Sequence, residues 1–176
     1  MKKVVVAIFI WGSFAFTIIT GAYNIFFNCS FWSASITQVL TLLVTIGVAF
    51  WATQYKNDLR KMKENAENVI EKLQAIVSNE QFYSIPADGD LSEIQKNINS
   101  TNRKINNCID ILEQYGSNLK FKEEINYIRK EFETYKTRTG EHIQDLYYLS
   151  KSEGEFRRIA ENIDTKCDFI ILSLYK

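Results

Sequence analysis

The sequence has few of the residues that loops, metal sites and catalytic motifs require. It contains one proline and one histidine among 176 residues, which disfavours long irregular loops and excludes most sites built from several histidines. Its three cysteines, Cys29, Cys108 and Cys167, show none of the paired spacings of zinc sites or disulfide frameworks. Phosphate-loop glycines, paired histidines and GxSxG turns are absent too. We therefore expect a non-enzymatic protein without a metal or cofactor.

Charged side chains are almost absent from the first third of the chain. Lys2 and Lys3 are the only ones before Lys56, and every acid lies at Asp58 or later. The remainder is therefore mildly acidic, although the net charge of the whole chain is zero. A mildly acidic domain is not expected to attract duplex nucleic acid.

Two uncharged, apolar segments occupy this first part, at residues 4–27 and 36–53. Each is about long enough to cross a hydrocarbon core as a helix. Lysines precede the first segment and lysine and arginine follow the second, so the positive-inside rule places both ends of the chain in the cytosol. The sequence thus predicts a transmembrane hairpin in residues 1–55, with a lipid bilayer as partner. Cys29 falls in the connecting loop, and the sequence does not decide whether it forms an intersubunit disulfide.

The second apolar segment carries a polar stripe. Gln38, Thr41 and Thr45 recur at alternating steps of three and four residues, so they share one helix face. This face predicts either helix packing through hydrogen bonds or the lining of a pore in an oligomer. The same spacing continues through Leu59 and Leu73, which predicts one helix over residues 36–79. Its stripe suits a coiled coil and suits packing within its own domain equally well.

Residues 56–176 have the pattern of an antiparallel helical bundle, so the predicted fold class is all-α. Apolar residues recur at helical spacing in three further segments. The first begins after the N-cap Asp90 and ends at Gly116, and the apolar stripe of the second begins with Phe121. Gly140 is either a break or a tolerated interior glycine. The last helix follows Gly154.

The second helix of this domain is unusually rich in asparagine, which is a poor helix former. Amides offer paired donors and acceptors to adenine, and cations attract phosphates. The candidate ligand-binding residues are therefore Asn99, Asn102, Arg103, Lys104, Asn106 and Asn107. The alternative is a solvated face whose asparagines reflect compositional bias.

This order of parts resembles the two-span defence effectors of prokaryotes, most of all the membrane effectors of type III CRISPR systems. The resemblance implies a homo-oligomer, with a tetramer favoured, in the bacterial inner membrane. It also implies that the helical domain captures a cyclic oligoadenylate as activating ligand and that the hairpin then perturbs the membrane in antiviral defence. No motif carries a residue over from that family.

Two other functions are compatible with the same sequence. One is a membrane-anchored scaffold or adaptor whose helical bundle binds a protein partner. The other is a phage or plasmid protein that inserts into the membrane to block lysis or superinfection. Both would leave the asparagine-rich helix without a nucleotide to bind.

Overall fold

The computed structural model describes residues 12, 18 and 30–175. Residues 30–175 form six α-helices and no strand: α1 (Ser30–Val77), α2 (Glu80–Tyr83), α3 (Leu91–Leu119), α4 (Lys122–Glu141), α5 (Leu146–Lys151) and α6 (Glu153–Leu174). The chain divides into two compact units, Met1–Leu59 and Arg60–Lys176. Helix α1 belongs to both units, because the boundary falls inside it.

The predicted transmembrane hairpin is corrected by the structure. In the part of the chain that it describes, no helix combines the length and the apolar character that crossing a membrane requires. The predicted span at 36–53 lies within α1, where Gln38 and several threonines interrupt the apolar residues and charged residues follow from Lys56 onward. The prediction of a multi-pass protein of the bacterial inner membrane is wrong by the same finding. The other predicted span, residues 4–27, lies outside the described residues except for positions 12 and 18, as does Cys29.

The helical bundle itself is confirmed. Helix α3 begins as predicted, with the Asp90 carboxylate accepting a hydrogen bond from the Ser92 N–H at 2.9 Å. Its predicted end at Gly116 is wrong, because the helix continues to Leu119 and Lys120 takes the left-handed conformation with φ 63°. Gly116 serves close packing instead, since a Cβ there would lie 2.8 Å from the Ile125 Cδ1. Gly140 is the second-last residue of α4, which ends at Glu141, so the helical run breaks just after this glycine instead of continuing as one helix.

Hydrogen bonds from three polar side chains define the directions in which the long helices of the second unit run. Gln74 of α1 donates to Asp164 and Asp168 of α6. Arg129 of α4 contacts Asp110 and Glu113 of α3, and Asn162 of α6 donates to Glu131 of α4. Together with the Arg138–Glu155 pair and the Gly116–Ile125 approach, these contacts make α3 antiparallel to α4, and α4 antiparallel to α6. These helix directions are those of an antiparallel bundle.

Aromatic side chains fill the centre of this bundle. Tyr135 stacks on Phe82 with ring centroids 4.2 Å apart and meets the edge of Phe156 at 5.1 Å. Phe132 lies 6.4 Å from the same tyrosine ring. All four side chains are buried, so α2, α4 and α6 share one apolar core with the inward stripes of α1 and α3.

Candidate functional site: the outer face of helix α3

The inward stripe of α3 fixes which of its residues face solvent. Ile98, Ile105 and Leu112 are buried, and successive residues rotate by about 100° around the helix axis. The opposite face therefore carries Lys96, Asn99, Arg103 and Asn107, all of which are exposed. We call this surface, together with the neighbouring Lys104, the α3 outer face.

The structure brings four of the six predicted ligand-binding residues together on the α3 outer face: Asn99, Arg103, Lys104 and Asn107 are exposed there. Asn102 and Asn106 are half-buried. They lie on the flank of α3 that also carries Asp110 and Glu113, the two residues bound by Arg129 of α4. Asn102 and Asn106 thus belong to the seam between α3 and α4.

The α3 outer face is cationic and free of acids. Between Glu93 and Asp110 the helix contains Lys96, Arg103 and Lys104 but no carboxylate. The side chains of Arg103 and Lys104 form no hydrogen bond or ion pair with any residue that the structure describes. Arg129, Arg138 and Arg157 are each paired with a carboxylate. The donors of the α3 outer face are therefore available to a partner.

Asn102 has an unusual environment at the edge of this surface. Its Oδ1 is buried and accepts no hydrogen bond from the described part of the chain. A buried acceptor without a donor lowers stability, because it loses its contact with water and gains nothing in exchange. Asn102 is therefore a position where the sequence does not maximise the stability of the bundle.

A shallow pocket lies at the turn between α3 and α4, away from the outer face. It is lined by Gly116, Lys120, Lys122, Glu123 and Glu124. Its two lysines are mixed with two glutamates. The pocket therefore has no dominant charge, whereas the α3 outer face is convex and positive.

His142, Cys108 and Cys167, whose side chains could serve catalysis or metal binding, pack against other residues or are buried. His142 stacks on Tyr148 with ring centroids 3.7 Å apart. Burial raises the pKa of the Cys167 thiol, and burial likewise raises that of Cys108 although Lys72 opposes it, so both stay protonated at neutral pH. Within the described residues, no cluster of three or more histidine, cysteine and acidic side chains is placed to hold a metal ion.

The predicted polar stripe of α1 is only partly described. Thr41 and Thr45 are both exposed, and the Thr45 hydroxyl donates to the Thr41 carbonyl at 2.7 Å. The side chain of Gln38 lies outside the described part of the structure. A role of these three residues in packing or in lining a pore stays a prediction.

Sequence reasoning missed the role of Arg129. Nothing in the sequence analysis singled this residue out, whereas in the structure its guanidinium donates to Asp110 at 2.8 Å and to Glu113 at 2.7 Å. Both hydrogen bonds raise the pKa of Arg129. The signal that could have found it was the pair of acids three residues apart on α3, which face one side of a helix.

Fold and surface together define the class of this protein as a helical bundle with an uncommitted cationic, amide-rich face. Comparisons with protein-family models, curated proteins and solved structures find no match to this chain.

Proposed function

We propose that the helical bundle is a non-catalytic scaffold or adaptor that binds an acidic surface of a partner protein through the α3 outer face. The observation that carries this proposal is the acid-free stretch between Glu93 and Asp110, whose exposed cations have no partner among the residues that the structure describes. Cations arranged in this way attract carboxylates and set the orientation of a complex.

The shape of the α3 outer face favours a protein over a small molecule. Small-molecule sites are usually concave and enclose most of their ligand, whereas a helix exposed along one side is convex. From Lys96 to Asn107 the face extends about 16 Å at 1.5 Å per residue. A protein surface can follow such a strip, with carboxylates meeting Arg103 and Lys104 and polar side chains meeting the amides.

A photo-crosslinking residue tests this function directly. Placed at Asn107 of the full chain, it should yield a discrete protein adduct in the cells that express the protein. The double substitution Arg103→Glu with Lys104→Glu should reduce that adduct by at least about tenfold, because it replaces attraction by repulsion. The matched control is Arg158→Glu, which reverses an exposed cation on α6 that has no carboxylate partner among the described residues.

The position of the crosslinker supplies a second control. Thr165 is exposed on α6, and a crosslinker there should not yield the same adduct. An adduct that forms equally from Thr165, or one that survives the double reversal on α3, would contradict the proposed docking face.

A second candidate function is capture of a cyclic oligoadenylate, as in an effector of antiviral defence. The amides and cations of Asn99, Arg103 and Asn107 support it, because they offer donors and acceptors to adenine and positive charge to phosphate. A convex face would have to be combined with those of other copies to surround the ligand, so this function requires a homo-oligomer, with a tetramer favoured.

Calorimetry distinguishes the two functions. If the nucleotide is the ligand, cyclic tetra-adenylate should bind the full chain and Arg103→Glu should abolish the heat, while Arg158→Glu should retain it. Absence of heat with the parent chain would eliminate the nucleotide and leave the protein partner.

A further inference from the structure

Large apolar side chains are exposed on α1 within the first compact unit. Between Leu42 and Trp51 the exposed fraction of six of them ranges from 42% to 65%: Leu42, Leu43, Ile46, Val48, Phe50 and Trp51. Single exposed apolar residues are ordinary on protein surfaces, but a continuous group of this size marks a binding surface. This segment of α1 therefore requires an apolar partner.

The apolar residues cover most of the circumference of the helix. Relative to Leu42, the positions of Ile46, Trp51 and Val48 lie at about 40°, 180° and 240° around the axis. Thr41 and Thr45 lie at about 260° and 300°, so a narrow polar stripe faces water while the wide apolar arc needs apolar surroundings, as in a helix that lies in a membrane interface. One helix of a second copy would cover a single stripe and leave the others in water.

The end of the segment has the chemistry of a membrane interface. Trp51 stacks on Tyr55 with ring centroids 5.8 Å apart, and tryptophan and tyrosine are enriched at the level of lipid headgroups. The exposed Lys56 follows directly, and the next charged residues are Asp58, Arg60 and Lys61. The segment itself contains no acid, since the first one is Asp58.

From this combination we infer that residues 40–56 bind the surface of an anionic lipid bilayer. The apolar side chains enter the lipid, Trp51 and Tyr55 lie among the headgroups, and Lys56 meets their negative charge. Apolar burial supplies affinity, and a lysine near an anionic surface adds to it. This inference does not depend on the function proposed for α3.

Vesicle flotation with the full chain tests the inference. Protein synthesised in a cell-free reaction with phosphatidylcholine vesicles that contain phosphatidylglycerol should float with them. The double substitution Ile46→Asp with Phe50→Asp should reduce the floating fraction by at least about tenfold, because charged side chains enter lipid at high cost. Lys56→Glu should weaken flotation with these vesicles and leave flotation with pure phosphatidylcholine unchanged.

The matched control is Leu172→Asp, which places the same charge on an exposed leucine of the second unit and should not change flotation. Unfolding of the bundle in urea, measured by circular dichroism, should be the same for all variants. Flotation that survives Ile46→Asp with Phe50→Asp overturns the inference. A defined oligomer that forms without vesicles and dissociates on the same double substitution, with no flotation, would also overturn it and identify a second copy as the partner.

Discussion

Replacing Asn102 by leucine should make the bundle more stable. The Asn102 Oδ1 is buried without a hydrogen-bond donor, and such an acceptor costs about 1–3 kcal/mol. Leucine has a similar volume and no polar atom, and its neighbours on α3 include the buried Ile98 and Ile105. We expect the free energy of unfolding to rise by about 1–2 kcal/mol, since part of the gain is lost in fitting the branched side chain.

Urea unfolding followed by circular dichroism measures this change, and the melting temperature should rise by roughly 4 °C per kcal/mol for a unit of this size. Asn99→Leu is the matched control. Asn99 is exposed on the same helix, so its substitution should change stability by no more than about 0.5 kcal/mol. A loss of about 1 kcal/mol or more in Asn102→Leu would refute the reasoning, because it would mean that the amide makes a hydrogen bond that stabilises the bundle.

Three further substitutions test the core, a contact between helices and a buried thiol. Phe156→Ala should lower the free energy of unfolding by about 3–5 kcal/mol in urea, because this buried ring packs against Tyr135; a loss similar to that of the half-exposed Phe169→Ala would speak against it. Arg129→Ala should cost only about 0.5–1 kcal/mol, because its pairs with Asp110 and Glu113 are partly exposed, and the loss should shrink in about 1 M NaCl; a salt-independent loss would exclude an electrostatic origin. Burial raises the pKa of the Cys167 thiol, so the unfolded chain loses this proton first and stability should fall as the pH rises above about 8.5. Cys167→Ala should flatten that decline in urea titrations, and an unchanged slope would assign it to other groups.

The helices of the second unit could be predicted because their apolar residues recur at helical spacing. Ile98, Ile105 and Leu112 are all buried, and the cap at Asp90 needed only a local rule. The end of α3 could not be predicted in the same way. A glycine often ends a helix, but Gly116 lies inside α3, where a Cβ would come 2.8 Å from the Ile125 Cδ1 of the next helix. Only the tertiary contact distinguishes these two uses of glycine.

The residue types of the candidate site could be predicted from the sequence, but which of these residues are exposed could not. The asparagines and cations of α3 are visible in the sequence, yet their division depends on where α4 packs. Asn102 and Asn106 are half-buried at the seam, while Asn99 and Asn107 are exposed. The membrane hairpin was predicted from two uncharged apolar segments of sufficient length and the cations beside them, and that prediction is wrong, whereas the continuous helix predicted over residues 36–79 is confirmed. In the structure α1 extends from Ser30 to Val77 and carries the apolar residues and the charged residues in one element.

Substitution of Asn99 and Asn107 distinguishes a functional surface from a compositional bias. Both are exposed in the interior of α3, where no packing compensates for the poor helix propensity of asparagine, so replacing each by alanine should raise stability by about 0.5 kcal/mol. If compositional bias explains these residues, Asn99→Ala with Asn107→Ala will gain stability and retain every interaction of the chain. If the α3 outer face is a binding surface, the same variant will gain stability but lose partner affinity, because the amides that weaken the helix are then the groups that bind. Crosslinking from position 100, a serine exposed on the same side of α3, measures that affinity beside the urea experiment. If the variant is more stable and still forms the adduct at full yield, the amides do not contribute to binding, and only Arg103 and Lys104 would carry it.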